Sequence, residues 1–178
     1  MFKSALTTNL DWQTAVEICV KQISNDLPAN LGFIYVTEPF SIHLTEIHNT
    51  LRALTNIDYW VGSVGMGICA ISESQSGEYF EEPAIAVLTA RLPDNSFRLF
   101  SSSDTLEKEK ILFDPSDNRF PEGLSFILSH ADSANPQILK IMEDLNETQE
   151  NFMVGGLTAS RNQQHHISSS VTGGGLSG

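Results

Sequence analysis

Apolar residues recur along this chain in two periods, one helical and one alternating. Trp12, Val16, Cys19, Val20, Ile23 and Leu27 follow helical spacing, with Asp11 placed to cap the helix and Pro28 to stop it. The run LGFIYVT at 31–37 is almost continuously apolar, as suits a strand covered on both faces. Glu38-Pro39 breaks the run, and Ser41 is placed to cap a second helix with Leu44, Ile47, Leu51 and Leu54 inward, ending near Thr55-Asn56. This periodicity sets His48 on or beside the buried stripe and His43 outside it. From Tyr59 to Phe100 the pattern turns to strands: DYWVGSV, GICAIS, PAIAVLTARL and SFRLFS. The residues between them, Gly65 and Gly67, Ser76-Gly77 and Pro93-Asp94-Asn95, predict antiparallel hairpins. Residues 102–122 are polar and interrupted by proline, which predicts a loop or short helix.

The last third repeats the theme of the first. GLSFILS reads as a strand, Asn135-Pro136 as a helix start, Ile138, Leu139, Met142 and Leu145 as a buried face, and NFMVGGLTAS as a closing strand. Phe33-Ile34 to Val61-Gly62 and Phe126-Ile127 to Val154-Gly155 have the same spacing. Two β-α-β arms with parallel strands follow, joined by antiparallel hairpins. The predicted fold class is therefore α+β, with mixed sheets flanked by helices in one domain over 1–178. The expected core comprises Val16, Val20, Ile23, Ile34, Ile47, Leu51, Val61, Ile85, Val87, Phe126, Ile127, Leu139, Met142 and Val154.

Charge narrows the partners. A formal net charge of −12 without a run of Lys or Arg repels both a phosphate backbone and an anionic bilayer, so neither nucleic acid nor membrane is expected. No stretch approaches the roughly 18 apolar residues of a membrane span, and no apolar signal core follows Lys3, which predicts a cytoplasmic protein. Cys19 and Cys69 lie in apolar patterns and read as small buried hydrophobes.

Candidate chemistry concentrates at the glycines. GSVGMG at 62–67 has the order G-x-x-G-x-G with a strand after it, unlike the G-x-G-x-x-G and helix of a dinucleotide site. It reads either as a glycine-rich hairpin or, because Gly155-Gly156 echoes it, as one side of a shared pocket. In the second reading the backbone of Gly62, Ser63, Gly65, Gly155, Gly156 and Thr158 binds a polar ligand, with Gly62 and Gly155 at the rim of one concave site. Ser63 lacks a G-x-S-x-G elbow and an assignable His-acid pair, so no catalytic residue is expected. His165-His166 reads as an exposed loop pair without metal-ligand spacing, and no metal site is expected. His130, ending a strand where an arm loop begins, is the best single histidine for a ligand or haem contact, although an ordinary loop histidine is the better-supported reading. Glu78, Glu81 and Glu82 either offer oxygens to a cation or an amine or form a solvated sheet edge, and the edge is favoured.

SALTTNLDWQTAVE, WVGSVGMG followed by EEPAIAVLTARLP, FILSHADSANPQILKIMEDL, FMVGGLTAS and GGGLSG together resemble the amino-terminal half of the FIST domain. The resemblance spans essentially the whole chain and rests on the order of these pieces. It implies a non-enzymatic sensory domain of intracellular signal transduction in bacteria, binding small ligands such as amino acids. It further implies a carboxy-terminal FIST domain or a signalling protein as partner. Relatives carry cysteine or alanine in place of Ser63 and continue past the equivalent of GGGLSG, so the Gly-rich end is expected to leave a strand edge open for a missing partner. Some relatives bind haem and respond to nitric oxide, making a haem or redox sensor the alternative, with no other cofactor expected. A protein-interaction module and a hydrolase with a hidden nucleophile complete the readings.

Overall fold

Trp60 shows how tightly the sequence fixes the first arm. Its indole Nε1 donates to the Ile57 carbonyl at 2.8 Å, and its ring fills the space beside Gly32 that any side chain there would need. In this computed structural model, residues 2–24, 28–94, 96–102, 125–147 and 151–178 are described. Strand β1 (Phe2–Thr8) leads to helix α1 (Trp12–Ile23), then β2 (Leu31–Thr37), a 3-10 helix (Glu38–His43), α2 (Leu44–Thr55) and β3 (Tyr59–Gly65). The short strands β4 (Gly67–Ile71) and β5 (Ser76–Phe80) precede β6 (Ala84–Ala90). The second arm is β7 (Ser125–Asp132), α3 (Ile138–Glu147) and β8 (Asn151–Thr158), followed by β9 (His166–Ser168), β10 (Ser170–Thr172) and β11 (Leu176–Ser177).

Among the described residues these strands form a large sheet in the order β1-β6-β2-β3-β9-β10, a small sheet in the order β11-β7-β8, and the separate hairpin β4-β5. The fold is α+β. Within each β-α-β arm the two strands are parallel, β2 with β3 and β7 with β8. Alternation then assigns the faces of the large sheet. Ala5, Ile34, Val36, Val64, Ile85, Val87 and Ile167 meet Val16, Cys19, Ile47 and Leu51 of α1 and α2. On the opposite face Leu6 and Ala86, flanked by Tyr35, pack with Ile68 and Tyr79 of the hairpin. The small sheet has its own core, in which Ile127, Ala131, Phe100 and Leu176 pack with Ile138 of α3.

Local signals held where local chemistry decides. Asp11 caps α1, its carboxylate accepting from the Thr14 backbone N–H at 2.8 Å, and Asn56 ends α2 in the left-handed conformation. Asn135 Oδ1 accepts from the Gln137 N–H at 2.8 Å and leads the chain into α3. Among the described residues no helix is long and apolar enough to cross a membrane.

Several expectations are corrected. Ser41 does not cap α2; it is buried inside the 3-10 helix that Pro39 begins, and α2 starts at Leu44. Of the hairpins expected between Tyr59 and Phe100, the described residues form only β4-β5, because at Gly65 and Gly67 the chain leaves the large sheet and folds over its face; SFRLFS forms no strand beyond an edge pairing around Ser101. Phe126 and Leu139, expected in the core, are exposed, while Val20, Met142 and Val154 are half-buried. Phe126 lies at the start of β7, and Leu139 lies on an exposed face of α3 among the described residues. The Phe-Ile pairs are not equivalent either: Ile34 lies opposite Gly62, but Ser129 lies opposite Gly155, a slip of two residues. The Gly-rich end is not an open edge, for β11 pairs with β7 on one side and with the 100–102 segment on the other. Leu27, the side chain of Leu145 and nearly all of the 102–122 connection lie outside the described residues.

Gly62 and Gly155 share one structural role. Both have positive φ, 158° and 151°, and a Cβ on either would overlap a backbone carbonyl oxygen of the neighbouring strand, that of Ile34 or Ser129. Backbone atoms cannot move aside as a side chain does. Gly62→Ala and Gly155→Ala should therefore each lower stability by about 2 kcal/mol or more in urea denaturation, whereas Gly156→Ala, whose Cβ meets nothing within 4 Å, should be nearly neutral. Equal effects at all three positions would refute this assignment.

Candidate functional site

Strand register builds the site. Across the large sheet, Leu6, Ala86, Tyr35, Ser63, His166 and Thr172 are successive partners in one row, on the face opposite the helices. In the small sheet the corresponding row is Ser177, His130 and Gly156. Aligned on Gly62 and Gly155, Tyr35 occupies in one arm the place of His130 in the other, as Ser63 does that of Gly156. The two rows meet. Tyr35 Oη lies 3.1 Å from His130 Nε2, with ring centroids 5.5 Å apart, and His166 Nδ1 lies 2.5 Å from Ser177 Oγ and 3.2 Å from Thr172 Oγ1. A polar seam thus joins sheets whose apolar cores are separate.

A cleft of about 390 Å³ opens beside this seam. Tyr35 and Ser63 contribute one side, the turn from Gly65 to Gly67 with Cys69 of β4 another, and Leu157 and Ala159 at the end of β8 the third. Met66, Ile68 and Leu157 make much of its lining apolar, and among the described residues no side chain in that lining carries a formal charge. At its β8 end the chain is pinned by Glu38, whose Oε1 accepts from Ser160 Oγ at 3.2 Å and from the Arg161 N–H at 2.5 Å. Arg161 in turn pairs with Glu81.

Of the six residues expected to bind a ligand, Ser63 and Gly65 line the cleft, and Gly62, Gly155, Gly156 and Thr158 do not. The period of two separates them: Gly62 belongs to the row of Ile34 and Ile167 facing the helices, one residue out of phase with Ser63. Thr158 is buried, its hydroxyl donating to the Ala131 carbonyl at 3.1 Å. Gly156 stands in the row of His130 with open space at its Cβ position.

The histidines were the main misreading. His166 is fully buried on β9 rather than exposed in a loop, and His130 lies inside β7, 4% exposed. His166 is buried because β9 inserts beside β3 in the large sheet and sets this residue opposite Ser63, a long-range pairing with no local signature. Cys69 is exposed on β4 rather than buried, because the hairpin turns that face of the strand outward, whereas Cys19 is buried as expected. Glu78, Glu81 and Glu82 are exposed, as the solvated-edge reading expects, with Glu81 additionally anchoring Arg161.

Burial pushes the His130 imidazole down to about 4, with repulsion from His166 adding to the effect, so it is neutral at pH 7. His48, buried on α2, is likewise lowered to about 4 by burial and then by Arg52. Burial also raises Tyr35, which stays a protonated phenol. Among the described residues, hydroxyl groups lie at the histidine ring nitrogens: Tyr35 at His130, and Ser177 and Thr172 at His166. Among the described residues no three His, Cys, Asp or Glu side chains converge as metal ligands. Among the described residues the cleft lining holds no histidine, and the neighbouring His130 engages Tyr35 through Nε2.

Compared with known families, residues 30–178 match the model described as the FIST N domain. No curated protein and no solved structure matches the chain.

The lowered histidines fix the sign of a pH effect. Unfolded histidine takes up a proton below about 6.5, but His48 and His130 in the folded protein resist until about 4. Their contribution is thus complete above pH 6.5 and is lost as pH falls from about 6.5 to 4, by up to roughly 3 kcal/mol each. Urea denaturation between pH 7 and pH 5 should show this decline, and His48→Gln with His130→Gln should flatten it. An unchanged slope in the double variant would show that other groups carry the effect.

Proposed function

The chain belongs to the FIST family of signal-transduction sensory domains, and we propose that it binds a small ligand in the cleft between β3, the β4-β5 hairpin and the end of β8. The observation that carries this reading is the cleft itself. It sits where two β-α-β arms meet, combining exposed backbone at Gly65 and Gly67, polar groups at Tyr35 and Ser63, and an apolar lining. A ligand there touches both sheets at once. Occupancy would stabilise one relative placement of the sheets, which supplies the differential contact a sensor needs. Amino acids, the ligands implied by the resemblance, are the first to test, and the cytoplasm is the proposed location. The role assigned is binding without catalysis, with the signal passed to a carboxy-terminal FIST domain or a signalling protein.

A second reading, as an interaction module, draws on the small sheet. The rings of Phe126 and Phe152 lie tilted against each other with centroids 6.1 Å apart while remaining 67% and 57% exposed.

A thermal-shift screen of amino acids and related metabolites tests the first reading. A ligand at one hundred times its Kd should add about 2.7 kcal/mol of stability. The shift should disappear in Ala159→Trp, which fills the cleft from an exposed position. Absence of any stabilising compound, or a shift that survives Ala159→Trp, counts against the cleft; self-association lost in Phe152→Asp would favour the second reading.

A further inference from the structure

His130 is 4% exposed, and its two ring nitrogens have unequal surroundings. Nε2 meets the Tyr35 hydroxyl at 3.1 Å, while Nδ1 is buried without a hydrogen-bond partner among the described residues. A neutral imidazole carries one N–H, and its position decides what Tyr35 can do. Were the hydrogen on Nδ1, a donor would be buried with nothing to accept it, the costlier of the two ways to leave a polar atom unsatisfied. With the hydrogen on Nε2, His130 donates to the Tyr35 oxygen and Nδ1 keeps only a bare lone pair. The Tyr35 hydroxyl hydrogen is then uncommitted, since no other described residue bonds this group, and Tyr35 lines the cleft. His130 is in this sense a positioning residue: it occupies the phenol oxygen and leaves the phenol as a donor.

We infer that the Tyr35 hydroxyl recognises an uncharged carbonyl oxygen of the ligand, so that the cleft selects neutral amides, lactones or ketones over carboxylates. The inference rests on the ligand-binding reading of the cleft and narrows it. Among the described residues no Lys, Arg or His lines the site to balance an anion, and the chain carries a net charge of −12. Arg161, near the β8 end, is already paired with Glu81. Met66, Ile68 and Leu157 suit an apolar remainder. An amino acid satisfies this description when its side-chain amide is the group that reaches Tyr35.

Two measurements on the full chain test it. Two-bond 1H–15N spectra of 15N-histidine protein at pH 7 should show His130 neutral with its hydrogen on Nε2; a hydrogen on Nδ1 would overturn the inference without any ligand or variant. Titration with acetamide and, separately, with acetate should then be followed through the backbone amides of Ser63, Gly65 and Gly67. Acetamide should shift these signals, acetate should not, and Tyr35→Phe should weaken acetamide roughly tenfold, as expected for one neutral hydrogen bond. Equal responses to the two probes, no response to either, or undiminished acetamide binding in a folded Tyr35→Phe protein would each sink the proposal. The metabolite screen judges the broader reading separately: a stabilising carboxylate ligand that does not engage Tyr35 would uphold the cleft and reject its assignment to neutral carbonyls.

Discussion

The contact on which the arrangement depends is the polar seam between the two sheets. Each sheet buries its own apolar cluster against its own helices, so the hydrophobic effect organises two bodies but does not by itself fix how they meet. Tyr35 with His130, and His166 with Ser177, supply the fixed distances and angles across the junction. The Glu38 bonds to the 160–161 segment extend the seam. Hydrogen bonds are directional, and buried polar groups are expensive to leave unmet, so a seam of this kind specifies one geometry more sharply than it adds stability.

That chemistry also suits the cleft to sensing. The Tyr35 side chain is shared: its hydroxyl meets His130 in the seam, and the same residue lines the cleft. Anything that engages it from the cleft acts directly on the bond joining the sheets. The neutrality of His130 matters for the same reason, because a protonated imidazole would place an unpaired charge beside His166 in a buried layer.

The glycines mark equivalent places in the two arms, one residue out of phase with the row that faces the cleft. Val61-Gly62 and Val154-Gly155 do mark equivalent places, with closely similar φ and the same close approach to a neighbouring carbonyl. Their purpose is to let backbones come together, and the residues that face the seam and cleft are their successors and cross-strand partners: Ser63 and Tyr35 in one arm, Gly156 and His130 in the other. A shift of one residue changes the face of a strand. Sequence spacing located the strands but could not supply the phase, because that depends on which face the helices cover.

What the sequence determined by itself is what short-range chemistry determines: the Asp11 cap, the stop at Asn56, the helical stripe from Val16 to Leu51, the two parallel arms and the FIST resemblance. That Ser63 and Gly65 line a cleft was legible because glycines beside a strand end admit few uses. Tertiary structure alone decided the rest. Tyr35 sits within a run that reads as ordinary strand, and His166 follows another histidine in a polar stretch; neither has a neighbour in sequence that reveals its role. Tyr35 and His130 are 95 residues apart and acquire their chemistry only when two sheets bring them to 3.1 Å. Phe126 and Leu139 err in the opposite direction, since their pattern announces burial but no described element covers them. Local sequence encodes which residues avoid water; what each one meets is set by the packing of elements far apart in the chain, and the cleft is made of such meetings.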